Sequence, residues 1–467
     1  MTIDWQALAA EHKADYLTDL TTMLRVPSFR DDSQATAEAP LGPGPKAALT
    51  TFLAIAARDG FKTKNIDNLV GYAEYGEGDE TLAVLAHVDE MPAGNGWDTD
   101  PFEPTIKDGK LYARGASDDK GPGMAAYYGL KLVKELGLKL NKKVRFIVGT
   151  DEESNWTGMK RYFEVEPAPT LGFSPDAEFP LINGEKGNVS LQVHFGNTDT
   201  GDLNLVSFDS GLRENMVPRE AVAVVTTSAN EQLAADFTAF LDQQPVTGEL
   251  KVVADGVQLE VIGKAAHGME PKNGINAGTY LASFLNQYPF AGDARDFLAF
   301  TANQLHDDSR VHQLGLAFTD DVMGDLTMNV GLLHFDHQAG GDLTLNFRYP
   351  KGIEPQELTA GVQAKLPAQA TVSQGDFMVP HYVDPEDPIV KDLMAVYRRQ
   401  TGDHNSQPEI VGGGTYGRMM KRGVAFGALF PHTEDTMHQA NEFQPVDDLM
   451  AAMAIYGESI AVLATDK

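Results

Sequence analysis

Short apolar runs without polar alternation constrain this chain more than any other feature. TLAVLA (81–86) and KVRFIVGT (143–150) are rich in β-branched or aromatic residues, TLGF (170–173) is a third such run, and a helix-patterned stretch, MAAYYGLKLVKELG (124–137), separates the first two. Strands with no polar side must be covered on both faces, the condition of a mostly parallel sheet between helices. Residues 5–26 repeat Leu8, His12, Tyr16, Leu20 and Leu24 four apart before Pro27, and 46–59 end at Gly60; both predict helices.

From about residue 186 the pattern changes. NVSLQVHF (188–195) alternates, placing Val189, Leu191, Val193 and Phe195 on one face; KVVADGVQLEVIGK (251–264) predicts a hairpin around Asp255-Gly256; LTLNF (343–347) alternates after an expected Gly340-Gly341 turn. Helices are expected at 229–242, 273–287 and 355–365, on one side of a half-buried antiparallel sheet. After about Pro385 the first pattern returns, with a helix at 388–400, a glycine turn GGGTYG (412–417), an apolar strand VAFGALF (424–430) and a last helix at 445–463. A chain of 467 residues exceeds one ordinary core. The expected class is α/β with two domains: a mixed, mostly parallel domain of residues 1–185 plus 384–467, interrupted by an α+β domain of residues 186–383.

There is no cysteine, so any metal must be held by histidine and carboxylates. The net charge of −30 opposes nucleic acid and anionic membranes as partners. The first residues carry no basic-plus-apolar export pattern and no window approaches a membrane span, which favours the cytoplasm.

Ligand-type residues follow the apolar strands. TLAVLA leads to His87-Val88-Asp89, RFIVGT to Asp151-Glu152-Glu153 and LGFSP to Asp176, while His438 comes eight residues after VAFGALF. Ligands of open α/β sheets bind beyond the carboxyl ends of the strands. Asp118-Asp119 precede the 124–137 helix. Singly, each is an ordinary residue; converging without a cation they would repel, and a pair of divalent ions would resolve that conflict.

LAHVDEMPAG, RGASDDKGPG, GTDEESNWTG, SPDAEFP, GKAAHGMEP and the late His438 resemble the motifs of the zinc-dependent aminoacylase and carnosinase-type peptidase family, in order over about 350 residues. The resemblance implies a dipeptidase with two zinc ions, for which manganese or cobalt could substitute. It implies His87, Asp118, Glu153, Asp176 and His438 as ligands, Asp118 bridging, and a cis bond between Asp118 and Asp119. Asp89 resembles the residue orienting His87, and Glu152 the general base. In the inserted domain Asn215 and His267 resemble contacts to the developing oxyanion, and Arg348 a clamp for the substrate carboxylate; outside it, the glycine turn Gly412–Gly414 (Gly413 and Gly414 foremost) can present backbone N–H groups to the same carboxylate. Members acting on a free amine carry aspartate at the position of Asp176; deacylases of N-acyl amino acids, the alternative, carry glutamate. The inserted domain resembles the doubled lid of bacterial dipeptidases in the family, which implies a monomer.

Overall fold

The computed structural model describes residues 3–198, 203–226, 230–254 and 256–465. The chain divides into two compact units: residues 1–184, 382–410 and 414–467, and residues 185–381 with 411–413.

The first unit is a mixed sheet with helices on both faces. Its strands β1 (Lys62–Ile66), β2 (Val70–Tyr75), β3 (Thr81–His87), β4 (Lys143–Gly149) and β5 (Leu171–Ser174) lie in the order β1-β2-β4-β3-β5, followed by Gly423–Ala425. Pairing is parallel from β4 through β3 and β5 to Gly423–Ala425 and antiparallel at β1 and β2. Alternation along β3 shows why the run is apolar throughout: Leu82, Val84 and Ala86 enter one core while Ala83 and Leu85 enter another. The larger core is completed by α1 (Trp5–Leu24), α2 (Pro43–Arg58), α3 (Lys120–Glu135) and the helices Pro388–Thr401 and Val446–Ala464. The smaller includes Met159 and Tyr162 of α4 (Thr157–Val165). β1 and β2 escaped the sequence reading; their hairpin turns at Asp67 and Asn68, both at φ 56°, a conformation these two residue types tolerate.

One expected strand is broken. VAFGALF yields two short strands, Gly423–Ala425 beside β5 and Ala428–Leu429 beside Ala177–Glu178, because Gly427 turns at φ +73°.

The second unit is an antiparallel sheet of eight strands: β6 (Gly187–Phe195), β7 (Asn204–Ser210), β8 (Glu220–Thr226), β9 (Thr247–Val253), β10 (Gly256–Ile262), β11 (Thr327–Asp336), β12 (Gly340–Tyr349) and β13 (Thr371–Met378), in the order β9-β10-β8-β7-β11-β12-β6-β13. Val189, Leu191, Val193 and Phe195 of β6 are buried, whereas Gln192 and His194 on the opposite face are exposed. The sheet has two halves of like arrangement. From its centre outward one reads β7, β8, β10, β9 on one side and β11, β12, β6, β13 on the other. Helix α5 (Asn230–Leu241) links β8 to β9 as α8 (Pro355–Gln363) links β12 to β13, and α6 (Ala277–Leu285) packs on β8 and β10 as α7 (Gly292–Phe300) packs on β12 and β6. The expected turn at Gly340-Gly341 lies earlier: both glycines begin β12, and Asp336 Oδ1 accepts from the N–H groups of Gln338 (2.8 Å) and Ala339 (3.1 Å) to close the turn. The residue Asp255 of the other expected hairpin lies outside the described residues. No helix among the described residues is long and apolar enough to cross a membrane.

Candidate metal centre

Because β3, β4 and β5 are parallel, the segments after them emerge at one edge of the first unit. His87 is the last residue of β3; Asp151–Glu153 follow β4; Asp176 follows β5. The His87 N–H donates to Asp119 Oδ2 (3.1 Å), which ties the strand end to the start of α3. The Asp118–Asp119 bond is cis.

Asp118 joins the two imidazoles: Oδ1 lies 3.0 Å from His87 Nε2 and Oδ2 2.8 Å from His438 Nε2. Asp176 Oδ2 stands 3.6 Å from His87 Nε2, and Glu153 Oε1 3.0 Å from His438 Nε2. Two donor groups result, His87–Glu152–Asp176 and Asp118–Glu153–His438, each with its ligand atoms within 4.8 Å of one another. All five expected ligands are thus brought together, and Glu152 with them.

The second ring nitrogen of His87 points away from the cluster. Nδ1 is 3.0 Å from the Asp89 carbonyl oxygen, so in the neutral ring it carries the proton and leaves the lone pair on Nε2. The Asp89 carboxylate is near, with Oδ1 3.4 Å from Nδ1, but its other oxygen accepts from the Glu153 N–H (3.1 Å). Asp89 therefore orients two members of the centre.

Electrostatics follow from this crowding. Burial and the Asp176 charge raise the Glu152 carboxyl well above its usual range. Burial and Asp118 raise Glu153 to about 7, against the pull of His438. Burial disfavours a charged His438, yet Asp118 and Glu153 raise it to about 11; His87, wholly buried, is raised likewise by Asp118, Asp176 and Asp89. Acids that resist ionising beside imidazoles that resist losing protons mark a site short of positive charge. A cation test is passed at one atom in particular. His87 Nε2 is buried, has no hydrogen-bond partner among the described residues, and faces two carboxylates. A nitrogen lone pair opposite carboxylate oxygens is satisfied by a metal ion, and an all-nitrogen-and-oxygen donor set suits zinc, manganese or cobalt.

Three supporting residues were missed in the sequence. Glu442 is fully buried; its Oε1 accepts from the N–H groups of Ser117 (2.8 Å) and Asp118 (3.1 Å), and its Oε2 from Arg114 Nη1 (2.6 Å). Burial and the Asp118 charge push it up to about 7, although Arg114 pulls the other way. The Tyr416 ring stands edge-on to His87 at 6.4 Å. The available signals were that Arg114 opens the RGASDDKGPG motif and that Glu442 stands four residues after His438; Tyr416 lies within the glycine turn GGGTYG, whose pattern marks a turn and not a ring beside His87.

The expected substrate contacts lie chiefly in the second unit. Asn215 and His267 are neighbours there: Gly268 N–H donates to the Asn215 carbonyl (2.7 Å), and Met216 pairs with His267 as an antiparallel bridge. Arg348 is buried at the end of β12, with Nε on Asn346 Oδ1 (3.0 Å) and Nη1 on the Gly412 carbonyl (2.8 Å). Gly413 adjoins that contact within the second unit, and Gly414 belongs to the first.

Against known proteins, the model of peptidase family M20/M25/M40 matches residues 83–461. A Staphylococcus haemolyticus (strain JCSC1435) protein bearing a provisional dipeptidase name, SH1171, is 43% identical over 468 residues, 99% of this chain and 100% of that one. The Beta-Ala-Xaa dipeptidase of Lactobacillus delbrueckii subsp. lactis is 41% identical over 469 residues, covering 100% of both. Among solved structures, human carnosine dipeptidase 1 shares the fold with a TM-score of 0.57 at 14% identity over 98% of each chain. The di-peptidase Dug1p of Saccharomyces cerevisiae does so with a TM-score of 0.57 at 14% identity, over 98% of this chain and 97% of that one. This chain belongs to peptidase family M20/M25/M40.

Proposed function

We propose that this chain is a di-metal dipeptidase that hydrolyses unblocked dipeptides of varied side chain, works as a monomer and resides in the cytoplasm. The observation that carries the reading is Asp118, whose two oxygens face His87 and His438 at 3.0 and 2.8 Å. His87 and Asp176 would hold one ion, Glu153 and His438 the other, with Asp118 shared; zinc is the natural occupant of such a donor set. Bound divalent cations supply Lewis acidity, acidifying water and polarising the scissile carbonyl.

The chain's own groups do the rest. Glu152, its carboxyl raised by burial and Asp176, takes a proton from the attacking water and returns it to the leaving amine. Asp89 holds His87 in the tautomer whose Nε2 faces the centre. Asn215 and His267 donate to the oxygen that gains charge in the transition state. Arg348, with the backbone of Gly413 and Gly414, holds the carboxylate of the substrate. The free ammonium at the other end lies near Asp176, whose short side chain leaves room for it. The dipeptidase name of the Lactobacillus relative supports the same substrate class.

Ala-Leu, N-acetyl-Ala-Leu and N-acetyl-Leu separate the readings. A dipeptidase cleaves the first and leaves both blocked compounds intact. Comparable turnover of N-acetyl-Leu would make the chain a deacylase of N-acyl amino acids instead.

A further inference from the structure

We propose that Asn329 is a positioning residue for the reaction, holding Asn215 and His267 in the geometry their donors require. The inference rests on the roles given to those two residues above.

Asn329 lies on β11 and is 1% exposed. Its Nδ2 donates to the Glu214 carbonyl (2.8 Å) and the Met216 carbonyl (2.7 Å), so one amide grips the backbone on either side of Asn215. Its Oδ1 is buried with no hydrogen-bond partner among the described residues. An unpartnered buried acceptor costs stability, and nothing local repays it except the paired donors on the same group. Turning the amide over would set its oxygen against two carbonyls, so the orientation is fixed by the task of holding residues 214–216.

The surroundings are shaped to the same end. A Cβ on Gly331 would lie 2.4 Å from the Glu214 oxygen, and β11 shifts register against β12 between Val330 and Leu332, where Glu214 is seated. A Cβ on Gly268 would come within 2.8 Å of the Asn215 carbonyl carbon and 3.0 Å of Asn329 Nδ2. Two residues before Asn329, on the same face of β11, Thr327 Oγ1 donates to the Met269 carbonyl (3.0 Å). The Met269 N–H in turn donates to His267 Nδ1 (3.0 Å), which leaves the ring proton of neutral His267 on Nε2. One strand of the sheet thus controls the place of Asn215 and the place and tautomer of His267. Donors to a developing oxyanion act only when held to within about 0.5 Å.

Asn329→Asp is nearly isosteric and replaces the donor by an acceptor. Expected with Ala-Leu as substrate is a roughly 30-fold fall in kcat, with KM within about twofold. Bound metal should be unchanged, and affinity for a phosphinic dipeptide analogue should fall in proportion. Combined with Asn215→Ala it should add no further loss, because the residue its amide grips on both sides no longer carries the group it positions. Thr327→Val should show a smaller loss of the same kcat-only kind, and it decides the matter should Asn329→Asp not fold. A kcat within about twofold of wild type, a change confined to KM, or losses that multiply in the double variant would overturn the proposal. Asn215→Ala and His267→Ala run alongside: if they leave kcat intact, the oxyanion reading itself fails; if they lower it while Asn329→Asp does not, only the positioning role fails.

Discussion

At the scale of single residues, the centre depends on which carboxylate serves as ligand and which as base. Glu152 and Glu153 are adjacent in sequence, yet Glu153 meets His438 at 3.0 Å while Glu152 falls in the group of His87 and Asp176. Glu152→Gln should lower kcat by about 10³-fold while the protein still retains two metal ions by elemental analysis; loss of an ion would make Glu152 a ligand rather than the base. Arg348 gives a second prediction. A tripeptide separates its charged ends by roughly 3.5 Å more than a dipeptide. Arg348→Ala should therefore raise KM by at least about tenfold for dipeptides and much less for dipeptide amides, and equal effects on both would remove it from carboxylate binding. These residues were legible because each follows a recognisable motif. The partner of His87 Nδ1 was less so: the nearest acceptor is the Asp89 carbonyl, and backbone acceptors leave no mark in a sequence.

At the scale of elements, parallel β3, β4 and β5 fix where His87, Glu152, Glu153 and Asp176 emerge, and a separate loop must be brought to them. Glu442 does this for Ser117 and Asp118, whose N–H groups it accepts while paired with Arg114. Glu442→Ala leaves Arg114 buried without its carboxylate, so unfolding free energy in urea should drop by about 3–5 kcal/mol, with reduced metal affinity. An unchanged midpoint would deny Glu442 its structural role. The runs buried on both faces, β3 and β4, were readable, since burial on two sides removes every polar position. VAFGALF was misread because hydrophobicity reports burial and not continuity: its residues are buried, but Gly427 reverses the path. The β1–β2 hairpin was missed because β1 is mostly exposed and carries little apolar pattern.

At the scale of the whole molecule, removing metal should abolish activity and make stability depend on pH. Glu153 and Glu442, held near 7, bind protons in the folded chain that the unfolded chain has already released above about 4.5. His438, raised to about 11, keeps its proton folded after it is lost unfolded above about 6.5. In each case the folded chain holds more protons, so stability present at low pH is lost as pH rises. The chelated protein should show a falling thermal midpoint between pH 5 and 8, and the metal-loaded protein a flatter profile; a midpoint rising with pH after chelation would contradict the electrostatic account.

The central pairing of β7 with β11, where Phe208 faces Phe335, joins two like halves in one covalent chain. The corresponding hairpins differ: nine residues, 211–219, lie between β7 and β8, but only three, 337–339, between β11 and β12. Two identical subunits meeting at such a seam would receive every mutation twice, so neither copy could specialise. Two halves in one chain carry no such obligation: one hairpin is long enough to bear Asn215, and the other is a tight connection.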